Sequence, residues 1–202
     1  MQALTTSPFV KTYTLKEFWD LPEPKDGSKL ELIAGVLYMS PPPDFPHNFS
    51  SMTLNRLFYN HLEKIGDRGM LFTPRAALWT GADTYVEPDL FYISTRTSKQ
   101  IDITRPSRAD LAVEIISPST AIYDRNTKAD TYAALGVREL WLVDPDNEIV
   151  EVRHLKRMKK GPKGSYGAGR IFKRGESVES KVFPKFSPSV TEICRAVPRK
   201  SK

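Results

Sequence analysis

Residues 110–116 read DLAVEII, seven positions that are almost wholly apolar and yet carry an acid, Glu114, near their centre. A run of this kind is expected of a strand covered on both faces of a sheet. An ionised carboxylate in such a strand is costly unless it is paired or bound to a metal. Strand alternation sets Ala112, Glu114 and Ile116 on one face and Leu111, Val113 and Ile115 on the other. A helix is predicted from about Ile122 to Leu135, with Gly136 in the C-terminal glycine position, and ELWLVDP at 139–145 reads as a second buried strand. Strand, helix and strand make a βαβ-like unit, so the predicted class is α/β or α+β with one central mixed sheet flanked by helices.

The other elements follow from local signals. Thr14 and Glu17 form a capping-box pattern that opens a short helix in LKEFWDL, and KLELIAGVLYMS at 29–40 reads as a β-hairpin about its central Ala-Gly. From His47 to Ile65, Phe49, Met52, Leu57, Phe58, Leu62 and Ile65 recur at helical spacing and predict a long amphipathic helix that stops at Gly66. Strands are predicted over about 70–79 and in PDLFYIS, and EIVEVRHL pairs with 139–145 across a PDN turn. Two short edge strands are expected within 165–186, and a short helix in SPSVTEICRAV. A chain of 202 residues fits a single domain, 1–202, with its core over about 13–193.

Composition narrows the function classes. No run reaches the 18 or more apolar residues of a membrane span, and the N-terminal residues lack the apolar core of an export signal, so no membrane partner and a cytoplasmic location are expected. The single cysteine, Cys194, forms no internal disulfide, and with three histidines (His47, His61, His154) a thiolate or histidine-rich metal centre is not expected. Charge is uneven. Residues 1–150 carry 15 Lys and Arg against 20 Asp and Glu, whereas residues 151–202 carry 15 against 4. Arg153, Lys156, Arg157, Lys159, Lys160 and Lys163 lie within eleven residues. Such a block suits a polyanion, because each phosphate neutralised releases counterions; a solvated loop tip explains it equally well.

Glu114 has candidate partners. Asp89 stands at the mouth of the strand PDLFYIS, and carboxylates on neighbouring strand ends can share a hard cation such as magnesium. Lys128, with Asp124 and Tyr132 at i, i+4 and i+8, faces one way from the following helix. A lysine aimed at a carboxylate–metal pair could stabilise an oxyanion or orient the attacking water. Each residue alone has a plainer reading: an edge or salt-bridged Glu, a turn Asp, a solvated Lys. Tyr132, Trp141 and Trp79 read as core.

At these residues the sequence resembles the Uma family of proposed restriction endonucleases, within the PD-(D/E)XK nuclease superfamily. The resemblance rests on EPDLFYIS, on LAVEIISPSTAIYDRNTKADTYAALGVRELWLVDP and on KLELIAGVLYMSPPPDFPHN, and runs from about Tyr13 to Ile193. It implies a restriction-endonuclease-like core, with Pro88-Asp89 as the motif's first acid and Glu114 as its second. The third motif position falls on Ile116, which is not lysine; in the family the lysine is displaced to the next helix, here Lys128. Glu31 matches an acidic residue that supplements the metal site, and His47 a position commonly histidine. The implied activity is metal-dependent hydrolysis of phosphodiester bonds in nucleic acid, DNA above all, with Mg or Mn as cofactor. Asp89 and Glu114 are then the metal ligands, and Glu31 and Lys128 further catalytic residues. His47, Lys156, Arg157, Lys159 and Lys160 are candidate nucleic-acid contacts, and a homodimer is expected of an enzyme that cuts both strands. Two other readings stand beside it: a nucleic-acid- or protein-binding module that retains the fold without cutting, and a hydrolase of another phosphoester.

Overall fold

The computed structural model describes residues 11–81, 83–118, 120–156 and 164–194. Helix α1 (Leu15–Trp19) opens with the full capping box: the Thr14 hydroxyl accepts from the Glu17 N–H, and the Glu17 carboxylate accepts from the Thr14 N–H at 2.8 Å. Strands β1 (Lys29–Ile33) and β2 (Val36–Ser40) form the expected hairpin, and Ala34 and Gly35 make its turn at φ 48° and 79°. Helix α2 (Phe45–Ile65) starts two residues before the expected point because the Asp44 carboxylate caps it, accepting from the His47 N–H at 3.0 Å. Gly66 ends it in the left-handed conformation, φ 65°.

The stretch expected as one strand over about 70–79 is two. β3 (Met70–Phe72) and β4 (Leu78–Thr80) belong to different sheets, and the chain turns between them through Pro74 and through Arg75 at φ 75°. β5 (Thr84–Val86) pairs with β4 and β1, and β6 (Leu90–Ile93) with β3. A short helix α3 (Thr95–Ser98) precedes β7 (Leu111–Ile115). The predicted helix after β7 comprises α4 (Ala121–Tyr123), a π-helical turn (Asp124–Lys128) and α5 (Ala129–Ala134). β8 (Glu139–Asp144) and β9 (Ile149–Lys156) form the second hairpin; β10 (Ser165–Tyr166) and β11 (Arg170–Lys173) both pair with β9, and α6 (Val190–Ile193) follows.

The large mixed sheet runs β10-β9-β8-β7-β6-β3, with β11 also on β9, and a smaller sheet runs β2-β1-β5-β4. Among the described strands only β7 and β8 pair in parallel, which is what the crossover through α4 and α5 requires. The period-2 pattern of β7 divides the core in two. Leu111, Val113 and Ile115 pack with Leu54, Phe58 and Leu62 of α2, while Ala112 and Ile116 pack with Ala129 and Tyr132 on the other face. Helix α2 buries a narrower face than its spacing predicts, since Met52 and Ile65 are exposed. No helix among the described residues is long and apolar enough to cross a membrane.

Candidate active site

Because β6 and β7 run antiparallel with Leu90 opposite Val113, the next step outward sets Asp89 across from Glu114. Both line one cleft of about 450 Å³ at the C-terminal end of β7, together with His47, Asp124, Lys128, Lys29 and Glu87. The Asp89 carboxylate is held on both sides: one oxygen accepts from the Ile115 N–H at 2.7 Å, and the other lies 3.1 Å from His47 Nε2. Burial pushes the Asp89 carboxyl up, but His47, with Lys29 and Lys128, outweighs it and holds the pKa below the usual aspartate value.

Lys128, a solvated residue on its plainer reading, is 1% exposed. Its Nζ lies 2.6 Å from Glu114 Oε1 and 3.1 Å from Glu31 Oε1, and Tyr132 donates a short hydrogen bond to the same Glu114 oxygen. The row Asp124, Lys128 and Tyr132 is buried along its length and looks onto the Glu114 face of the sheet. Burial works against the Lys128 ammonium, yet Glu114 and Glu31 hold its pKa well above the usual lysine value. Burial pushes the Glu114 carboxyl up, with Lys128 opposing and Asp89 and Asp124 adding to the rise. The result is a firmly held ammonium beside a carboxyl whose ionisation burial resists.

The expected approach of Asp89, Glu114 and Glu31 around one ion takes a different form. Glu31 Oε1 accepts from the Glu87 N–H at 2.7 Å and from Lys128, while Glu31 Oε2 is buried and has no hydrogen-bond partner among the described residues. Lys128 therefore stands between Glu31 and Glu114. Among the described residues no three His, Cys, Asp or Glu side chains are grouped to hold a metal. Asp89 and Glu114 are two hard carboxylates open to one cleft, the kind of donor pair a divalent ion accepts. Magnesium takes such sites, using one or two carboxylates and completing its shell with water and substrate phosphates.

Sequence reasoning did not single out Lys29, Glu87 or Tyr123. Lys29 Nζ donates to the Glu87 carbonyl at 2.8 Å and lies 3.8 Å from Glu31. Arg75 lies 3.5 Å from the Glu87 carboxylate at the mouth of the cleft. The Tyr123 ring stacks on Tyr38, and its buried hydroxyl has no hydrogen-bond partner among the described residues. Glu87 had one sequence signal, its place directly before Pro88-Asp89. Of the basic residues, Lys156 ends β9 at the far end of the sheet from this cleft, and Arg157, Lys159 and Lys160 lie outside the described residues.

Comparison with known proteins agrees with this architecture. The family model described as "Uma2: Putative restriction endonuclease" matches residues 15–192. The chain is similar to a crystal structure described as a putative nuclease belonging to DUF820 from Anabaena variabilis ATCC 29413. The two share 20% identity at a TM-score of 0.68, with 91% of this chain and 98% of that one covered. No curated protein matches.

Proposed function

The chain belongs to the Uma2 family, and on that footing we propose that it is a magnesium- or manganese-dependent endonuclease that hydrolyses phosphodiester bonds in DNA at the Asp89–Glu114 cleft. The observation that carries this reading is the Lys128 ammonium, buried between Glu31 and Glu114 and lining the same cleft as Asp89. A divalent ion held by Asp89 and Glu114 would lower the pKa of water and offset charge developing on the phosphate. The Lys128 ammonium, held by Glu31 and Glu114, would supply a fixed positive charge at the cleft wall, a preorganised contribution that needs no rearrangement during reaction. Tyr132 and Glu31 hold Lys128 and Glu114 in place, and His47 with the Ile115 N–H orients Asp89.

Nicking of supercoiled plasmid tests the reading. Wild-type protein with magnesium or manganese should give relaxed circles, and both EDTA and Asp89→Asn should abolish them. Absence of nicking by the wild type with either metal, or nicking that survives in Asp89→Asn, overturns it.

A further inference from the structure

A second polar cleft, of about 820 Å³, opens where β7 and β8 begin, and Arg96, Arg108, Arg138 and Lys181 line it with Asp110, Glu139 and His154. Asp110 is four residues from Glu114 along the chain, which at strand rise sets these two acids about 13 Å apart along the strand direction. The acids of this second cleft are turned inward and satisfied. Asp110 accepts from the Ser94 N–H at 2.8 Å and from Arg138 at 3.2 Å. Glu139, fully buried, accepts from Trp141 Nε1 at 2.8 Å, from the Ser180 hydroxyl and the Lys181 N–H at 2.6 Å each, and from the Val182 N–H at 3.2 Å, with His154 Nε2 also 3.2 Å away.

The cations are differently placed. Arg108 donates to a neutral partner, Gln100 Oε1, at 2.7 Å, and the Arg138 side chain is 63% exposed even with its Asp110 bond. Among the described residues no ion pair joins Arg96, Arg108 or Lys181 to a carboxylate. Arg96 and Lys181 are exposed there and Arg108 is half-buried, over acids that are hydrogen-bonded from within.

We propose that this cleft is a second anion site that binds backbone phosphates of nucleic acid, separate from the cleft holding Lys128. The site acts as a cluster of positive charge, whose neutralisation of phosphates releases their counterions. The proposal shares its nucleic-acid partner with the nuclease reading but stands on different residues.

The test uses the full chain in EDTA with a fluorescently labelled DNA duplex, its affinity followed by anisotropy as sodium chloride rises. The combined variant Arg96→Gln, Arg108→Gln, Lys181→Gln should bind at least about tenfold more weakly at low salt, with its log–log salt slope reduced by about 2–3, close to one for each phosphate no longer neutralised. Arg96→Lys, Arg108→Lys, Lys181→Arg keeps every charge and should bind within about threefold of wild type, which also guards against misreading a folding defect. Wild-type affinity and slope in the glutamine variant, or equal loss in both variants, overturns the proposal. No metal is present and no bond is cut, so failure here is read separately from failure of plasmid nicking.

Discussion

Tyr132 and Lys128, four residues apart, meet on the same oxygen of Glu114. One donor comes from α5 and the other from the end of the π-helical turn, so the carboxylate of β7 is fixed from the layer above it. A buried acid arranged in this way is both a structural tie and a candidate catalytic group, and the two roles can be separated by experiment.

Lys128→Ala should lower the plasmid-nicking rate by on the order of 10²-fold or more, as expected for loss of a transition-state charge. Removing one partner of a buried ion pair should also cost about 3–5 kcal/mol of stability, read from urea unfolding. Magnesium-binding heat should change far less than in Asp89→Ala. Full cleavage by Lys128→Ala removes the lysine from the mechanism.

Tyr132→Phe keeps the ring in the core and deletes only the donor to Glu114. A loss of about 1–3 kcal/mol is expected, typical of a hydrogen bond to a charged group. A double-mutant cycle with Glu114→Gln should show coupling of about 0.5–3 kcal/mol, and strictly additive losses would show that this hydrogen bond contributes nothing.

Asp110 provides the acid-side prediction. Burial pushes its pKa up, but the Ser94 N–H and hydroxyl, Thr97 and Arg138 outweigh it and leave the folded value below the ordinary 3.8. A carboxyl that releases its proton more readily when folded contributes stability above the unfolded pKa, and that contribution is lost as pH falls through the folded value. Asp110→Asn should therefore be less stable than wild type by about 1–2 kcal/mol near neutrality. The gap should close as urea titrations move below about pH 4. A gap constant down to pH 3 contradicts the assignment.

Much of this architecture is legible because β7 writes its two-sided burial directly into the sequence. Leu111, Val113 and Ile115 alternate with Ala112, Glu114 and Ile116, and the two sets enter different halves of the core. The capping box at Thr14 and Glu17 and the Ala34-Gly35 turn are equally local and equally readable. What could not be read is long-range. Arg75 takes a left-handed backbone that splits β3 from β4, and no residue preference marks an arginine for that conformation. Glu31 lies 56 residues from the Glu87 N–H it accepts, so its engagement with Lys128 rather than with a shared ion depends on how the small sheet docks. Lys128 is singled out in the sequence by its order after Asp89 and Glu114, but its pairing with Glu31 and Glu114 at once is long-range.

Glu139→Ala should be among the more damaging single substitutions outside the Asp89–Glu114 cleft, costing about 3–5 kcal/mol. It strands Trp141 Nε1, Ser180 Oγ and two backbone N–H groups at residues 181 and 182. Thermal melting should show the loss, and hydrogen exchange should show residues 180–183 opening ahead of β8. Uniform protection of that segment in the variant would mean that Glu139 does not hold it.

The π-helical turn at Asp124–Lys128 makes chain length itself a variable at this site. A π turn closes one residue later than an α turn, so deleting a single residue within it would let the helix continue in ordinary phase. The extra residue is taken up inside the turn, so losing one of Arg125, Asn126 or Thr127 would leave Tyr123 on its stack with Tyr38 and Lys128 and Tyr132 on Glu114. In a regular helix, where each residue advances about 100°, the same deletion would turn the two halves against each other by that angle. A one-residue deletion here is thus absorbed by the turn and leaves the cleft wall in place.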